Sequence, residues 1–139
     1  MNSRKILYFS IPEDFNRQFE NFIVDPNIPI PVEIPGNDEV FNPEKLSWEM
    51  IIAGMLRVIS EDEKEPEWID YYRNFVFAVK PNILTEFSEI AILKAKNDGF
   101  DLAMEIYNIL LGLFPFPSDA EAEIIENLKN AILIIIKLI

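Results

Sequence analysis

Three groups of residues have types and spacings that invite a chemical reading. The first is the acidic run Glu61-Asp62-Glu63-Lys64-Glu65-Pro66-Glu67. Clustered carboxylates attract cations, but a calcium loop turns its ligands around a central glycine, and this run has none. It reads as a solvated turn. The second is Asn97-Asp98-Gly99-Phe100-Asp101. It has the glycine but neither the earlier acidic ligands nor the closing bidentate Glu, so it reads as helix end, cap and helix start. The third is Glu121, Glu123 and Glu126, whose spacing places carboxylates on one side of a helix. A di-iron site of that kind also requires Glu-x-x-His pairs, and the sequence has no histidine.

Without histidine the commonest general base and the commonest transition-metal ligand are both missing. There is no cysteine either, so thiolate chemistry and a disulfide framework are excluded. The four glycines are isolated, which leaves no phosphate-cradling loop. The expectation is a chain that is not an enzyme, with no catalytic, cofactor-binding or metal-binding residues. Formal net charge is -12, from 24 acidic and 12 basic residues. Such a field repels phosphate backbones, and no run of Lys and Arg collects to release counterions. Nucleic acid is not an expected partner.

The elements that carry these residues come from one globular domain's worth of chain. It has 139 residues, half of them hydrophobic, which suits one core rather than two. Arg4 and Lys5 precede an apolar stretch, Ile6 to Phe9, too short for a secretory signal core. Ala131 to Ile139 is apolar except for Lys137, and falls far short of a membrane span. A cytoplasmic protein with no membrane partner is expected.

Residues 1–43 differ from 44–139. Pro12-Glu13-Asp14 followed by Phe15, Phe19 and Phe22 predicts a short amphipathic helix, with acids in its first turn and phenylalanines spaced by four and three. From Asp25 to Gly36, prolines 26, 29, 31 and 35 alternate with aliphatic residues. That pattern forbids helix and keeps the segment out of a central strand, so polyproline II or an irregular extended path is expected.

Five helices follow. Asn42-Pro43-Glu44 opens the first as N-cap, proline and acid, and Leu46, Met50, Ile51, Met55, Val58 and Ile59 give it an apolar period. Pro66 and Glu67 start the second, which ends at Lys80-Pro81. The third runs from Ile83 to Asn97-Asp98-Gly99, where Gly99 supplies the left-handed cap. The fourth, through Leu102 and Leu111, ends before Pro115. Ser118 and Asp119 cap the fifth, which continues into the apolar tail.

Lys80-Pro81 and Phe114-Pro115 end equivalent helices 34 positions apart. A helix–turn–helix unit of that length, with the pattern W-x2-L-G-x2-Y…A-x3-F…P, is the tetratricopeptide repeat. Residues 84–115 resemble it: Phe87 stands at the Trp position, Ile90 at Leu, Ala91 at Gly, Ala103 at Ala, Tyr107 at Phe and Pro115 at Pro. Small residues at 91 and 103 let paired helices approach, and Phe87 with Tyr107 fills the gap between pairs. Lys94 departs from the pattern, standing where an aromatic is usual. The preceding unit matches less well: Trp48 and Phe87 are 39 positions apart, and Ile69 replaces the alanine. The implied fold is all-α: antiparallel helix pairs stacked as a short tetratricopeptide-like α-solenoid, with one complete repeat between two partial ones and an irregular Pro-rich N-terminal segment.

Such stacks hold partner proteins or peptides on a concave surface lined by the first helix of each pair. The resemblance nominates Glu49, Ala53 and Arg57 from one pair and Ser88, Ile92 and Lys96 from the next. Basic groups are sparse on both, so the partner segment is expected to be basic or apolar. The last helix is apolar nearly all round, which calls for cover on more than one face. Ile132, Ile135, Ile136 and Ile139 are the candidates for self-association, unless further repeats follow in a longer chain. Two readings result: a non-catalytic protein–protein interaction scaffold, or a self-assembling capping module whose Pro/Ile segment covers a groove.

Overall fold

The computed structural model describes residues 4–10, 18–19, 22–35, 43–61 and 64–138. The chain divides into two compact units, Met1–Val79 and Lys80–Ile139. The first takes in the N-terminal segment together with two helices, and the second contains three helices.

In the first unit, strand β1 (Arg4–Phe9) pairs antiparallel with β4 (Ile30–Pro35). Two short strands between them, β2 (Gln18–Phe19) and β3 (Phe22–Ile23), form a second antiparallel pair. Helix is thus the dominant element among the described residues, as an all-α reading expects, with short antiparallel strand pairs added in the N-terminal segment. The amphipathic helix predicted from Phe15, Phe19 and Phe22 is replaced at 18–19 and 22–23 by strands, while Phe15 lies outside the described residues. Phe22 packs within this unit instead: its ring lies on Tyr71 and Phe75 at 5.2 and 5.1 Å, as aromatic partners commonly do.

The Pro/Ile stretch is also a strand rather than an irregular path, and its prolines explain how. Pro29, Pro31 and Pro35 all fall on odd positions, so every missing N–H points to the same edge. Ile30, Val32 and Ile34 keep theirs, and pair with Phe9, Leu7 and Lys5. With two strands in the sheet, each is an edge strand, where one-sided proline is tolerated.

Helix α1 (Trp48–Glu61) begins later than Asn42-Pro43 suggests. Pro43–Lys45 forms a single 3₁₀ turn, and Asn42 lies outside the described residues. The Ser47 hydroxyl caps α1 instead, accepting the Met50 N–H at 3.3 Å. Helix α1 packs along β4 at Gly54, where a Cβ would stand 2.5 Å from the Pro31 carbonyl oxygen. Only glycine permits that approach. Helix α2 (Pro66–Val79) starts at the proline that the sequence marks and packs on α1. Met55, Ile69, Tyr72, Phe75 and Val76 form the centre of this unit's core with Val32.

In the second unit, α3 (Ile83–Lys96), α4 (Phe100–Leu113) and α5 (Asp119–Lys137) follow the sequence punctuation closely. One cap differs. The left-handed residue after α3 is Asp98, at φ 65°, while Gly99 has ordinary negative φ. Aspartate is one of the few residues that visit this region. Gly99 serves another need: its N–H donates to the Lys94 carbonyl at 2.7 Å, and a Cβ there would lie only 3.0 Å from that oxygen. Ser118 caps α5 as expected, in a reciprocal box: Ser118 Oγ accepts the Glu121 N–H, and Glu121 Oε1 accepts the Ser118 N–H.

Candidate interaction surface

Within the second unit α3 lies against both α4 and α5, and α4 against α5. Ala91 and Ala103 are fully buried, so the two small residues sit where neighbouring helices approach. Phe87 and Tyr107 are half-buried, whereas Ile90, Lys94 and Pro115 are exposed.

The surface nominated on α3 is only partly a surface. Lys96 is exposed and Ile92 half-buried, but Ser88 is buried, and its hydroxyl has no hydrogen-bond partner among the described residues. It cannot meet a partner molecule where it stands. In the first unit Glu49 is exposed and Ala53 and Arg57 half-buried. Arg57 is engaged within the unit: its guanidinium lies 3.8 Å from Glu33 on β4 and 3.3 Å from Glu61. That stripe of α1 therefore runs beside a strand of its own chain.

The last helix divides more sharply. Its N-terminal half is amphipathic, with Ile125 and Leu128 buried and Ala122, Glu123, Glu126 and Lys129 exposed. From Ile132 onward apolar residues occupy both the inner and the outer faces. Ile132 is 0% exposed and belongs to the core, which removes it from any self-association surface. Ile135 is half-buried and Ile136 exposed; Ile139 lies outside the described residues. Sequence reasoning missed the larger contributors: Ile134 is 59% and Leu138 80% exposed, and Leu133 is also exposed. Extending the buried spacing 125, 128, 132 along the helix would have found them, because it assigns 133, 134 and 138 to other faces. Exposed apolar patches of this kind mark interaction sites more often than scattered single residues do.

A second feature absent from the sequence reading is a pair of tyrosines that hold the turn leading into β4. The Tyr71 hydroxyl accepts the Asp25 N–H at 3.0 Å, and the Tyr72 hydroxyl donates to the Pro29 carbonyl at 2.6 Å. Burial pushes both hydroxyls up from the ordinary tyrosine value; for Tyr72 the nearby Tyr8 and Tyr71 add to it. Asp25 closes the turn itself, its carbonyl accepting the Ile28 N–H and its carboxylate the Asn27 N–H. The cluster is structural, joining strand and helix.

Among the described residues no group of three carboxylates is placed to hold a metal ion. No described helix is long and apolar enough to cross a membrane. Compared with known protein families, curated proteins and solved structures, the chain matches none of them.

Proposed function

We propose that this chain is a non-catalytic interaction module of tetratricopeptide type, which holds a partner protein through the helices of its second unit. The observation that carries this reading is the exposed apolar surface of α5, from Leu133 to Leu138, on a helix whose other stripe is already packed. A well-capped helix with exposed isoleucine and leucine gains stability when another apolar element covers it. The buried small pair Ala91 and Ala103 supports the repeat resemblance of residues 84–115, and the cysteine-free composition suits the cytoplasm. With net charge -12, the partner segment is apolar or basic rather than acidic.

The test is affinity capture on the immobilised full chain from an extract of the source cells, against the same chain carrying Leu133→Glu and Ile134→Glu. A discrete protein of different sequence, retained near equimolar by the parent and lost from the variant, is the expected result. Retention of nothing, or equal retention by both, overturns the reading.

A further inference from the structure

We propose that the Asp98–Gly99 bond is a site of isoaspartate formation, held closed by the turn between α3 and α4. Aspartate followed by glycine is the pair on which this reaction runs most readily, because glycine has no Cβ to shield its backbone nitrogen. Gly36, Gly54 and Gly112 follow Pro35, Ala53 and Leu111; only Gly99 follows an aspartate, and no glycine follows an asparagine. Asp98 is exposed, so its carboxyl group meets water.

The chemistry needs no reagent but water. The Gly99 nitrogen attacks Asp98 Cγ and a C–N bond forms. The amide proton and the carboxyl hydroxyl leave together as water, which closes a five-membered succinimide. A water molecule then opens the ring at either carbonyl. Cleavage between nitrogen and Cγ restores aspartate, whereas cleavage between nitrogen and the former main-chain carbonyl carbon leaves isoaspartate. The chain now runs through the side-chain methylene, one carbon longer, and the main-chain carbonyl has become a free carboxylate. Mass and net charge are unchanged.

The fold withholds the nucleophile. The Gly99 N–H donates to the Lys94 carbonyl at 2.7 Å, and the Gly99 carbonyl accepts the Ala103 N–H at 2.9 Å. Gly99 is thereby tied to the end of α3 and to the start of α4. Asp98 precedes it at φ 65°, its own N–H donating to the Ala95 carbonyl at 3.3 Å. Ring closure requires the Asp98–Gly99 peptide plane to rotate toward the carboxyl group and the Gly99 N–H to give up its proton. Both movements break the bond to Lys94. Isomerisation therefore proceeds from the opened turn, a local unfolding event. Once formed, the longer backbone cannot keep both the left-handed residue and the Lys94 bond, so the packing of α3 on α4 is weakened. A transient opening becomes a lasting one.

Prolonged incubation of the full chain at neutral pH, in native buffer and in concentrated urea, tests this. Isoaspartate is located by peptide mapping, after labelling with an isoaspartyl methyltransferase and radioactive S-adenosylmethionine. A synthetic peptide of residues 94–103 gives the unrestrained rate. The unfolded chain is expected to match the peptide, and the native chain to be slower by about tenfold or more. Urea below the unfolding transition should raise the native rate in step with hydrogen exchange of the Gly99 amide. Asp98→Gly should accumulate no isoaspartate at this position. The isolated isoaspartyl form should melt below the unmodified chain and exchange amide hydrogens faster in the last turn of α3. An unfolded chain that gains no isoaspartate at Asp98 overturns the site. A native rate equal to that of the peptide, or indifferent to Gly99 exchange, overturns the hold of the turn. An isoaspartyl form with an unchanged thermal midpoint overturns the weakening of the helix pair.

Discussion

Tyr72 and Tyr71 are neighbours in sequence but serve the Asp25–Pro29 turn with opposite polarity, one donating and one accepting. Tyr72→Phe keeps the ring and removes only the donor, leaving the Pro29 carbonyl short of a partner. A loss of about 1–2 kcal/mol in denaturant unfolding is expected. The same hydroxyls set an alkaline limit. Their folded values are raised above the unfolded value of about 10, so the unfolded chain loses protons first as pH climbs. Their contribution is whole below about pH 10 and is lost as pH rises through the folded values. Thermal midpoints measured from pH 9 to 12 should fall steeply for the parent and less for Tyr72→Phe. At Gly54 two effects compete. Alanine gains about 1 kcal/mol of helix propensity, but its Cβ meets the Pro31 carbonyl at 2.5 Å. That obstacle is backbone, which cannot rotate aside, and overpacking costs about 1–3 kcal/mol. Gly54→Ala should therefore lower the denaturation midpoint, whereas Asp98→Gly, at positive φ, should raise stability by roughly 0.5–1 kcal/mol.

At the scale of elements, helix ends were legible because their determinants are local. Pro66, Pro115 and Ser118 each act on residues within one turn, and α2, α4 and α5 begin or end where those residues require. The box at Ser118 is the clearest case. Ser118→Ala should cost about 1 kcal/mol, read as faster amide exchange in the first turn of α5 with little change in α4. The start of α1 was misplaced by a few residues because Asn42-Pro43 and Ser47 offer competing caps, and only the packing of the first unit selects between them. The strands were less legible still. Arg4–Phe9 and Ile30–Pro35 gain their hydrogen bonds from each other, across some twenty intervening residues, and neither pattern alone announces a partner. The clue was the parity of the prolines, which leaves one donor edge intact.

For the whole molecule, the charge of -12 means that folded chains repel themselves and one another. Raising salt from about 0.05 to about 0.5 M shortens the screening length severalfold. It should raise the thermal midpoint and tighten the hold of α5 on an apolar partner segment, since an apolar stripe drives it. Binding of a basic peptide would instead weaken with salt, which makes a salt series a second discriminator. Of the nominated surface residues, Lys96, Glu49 and Ile136 stand exposed, while Ser88 and Ile132 are buried. Helical period cannot separate the face turned to a neighbour from the face turned to water when both carry apolar side chains, and α5 is apolar all round near its end. By itself the sequence determined the helices from Pro66 onward, the Ser118 cap of α5, and an acidic surface, because each follows from neighbours within a few positions. The tertiary structure alone decided that the proline stretch is a strand laid against Gly54, that two tyrosines hold its turn, and which stripe of α5 is left uncovered. Those outcomes depend on which distant backbone or side chain arrives at a given face, and no local pattern records that.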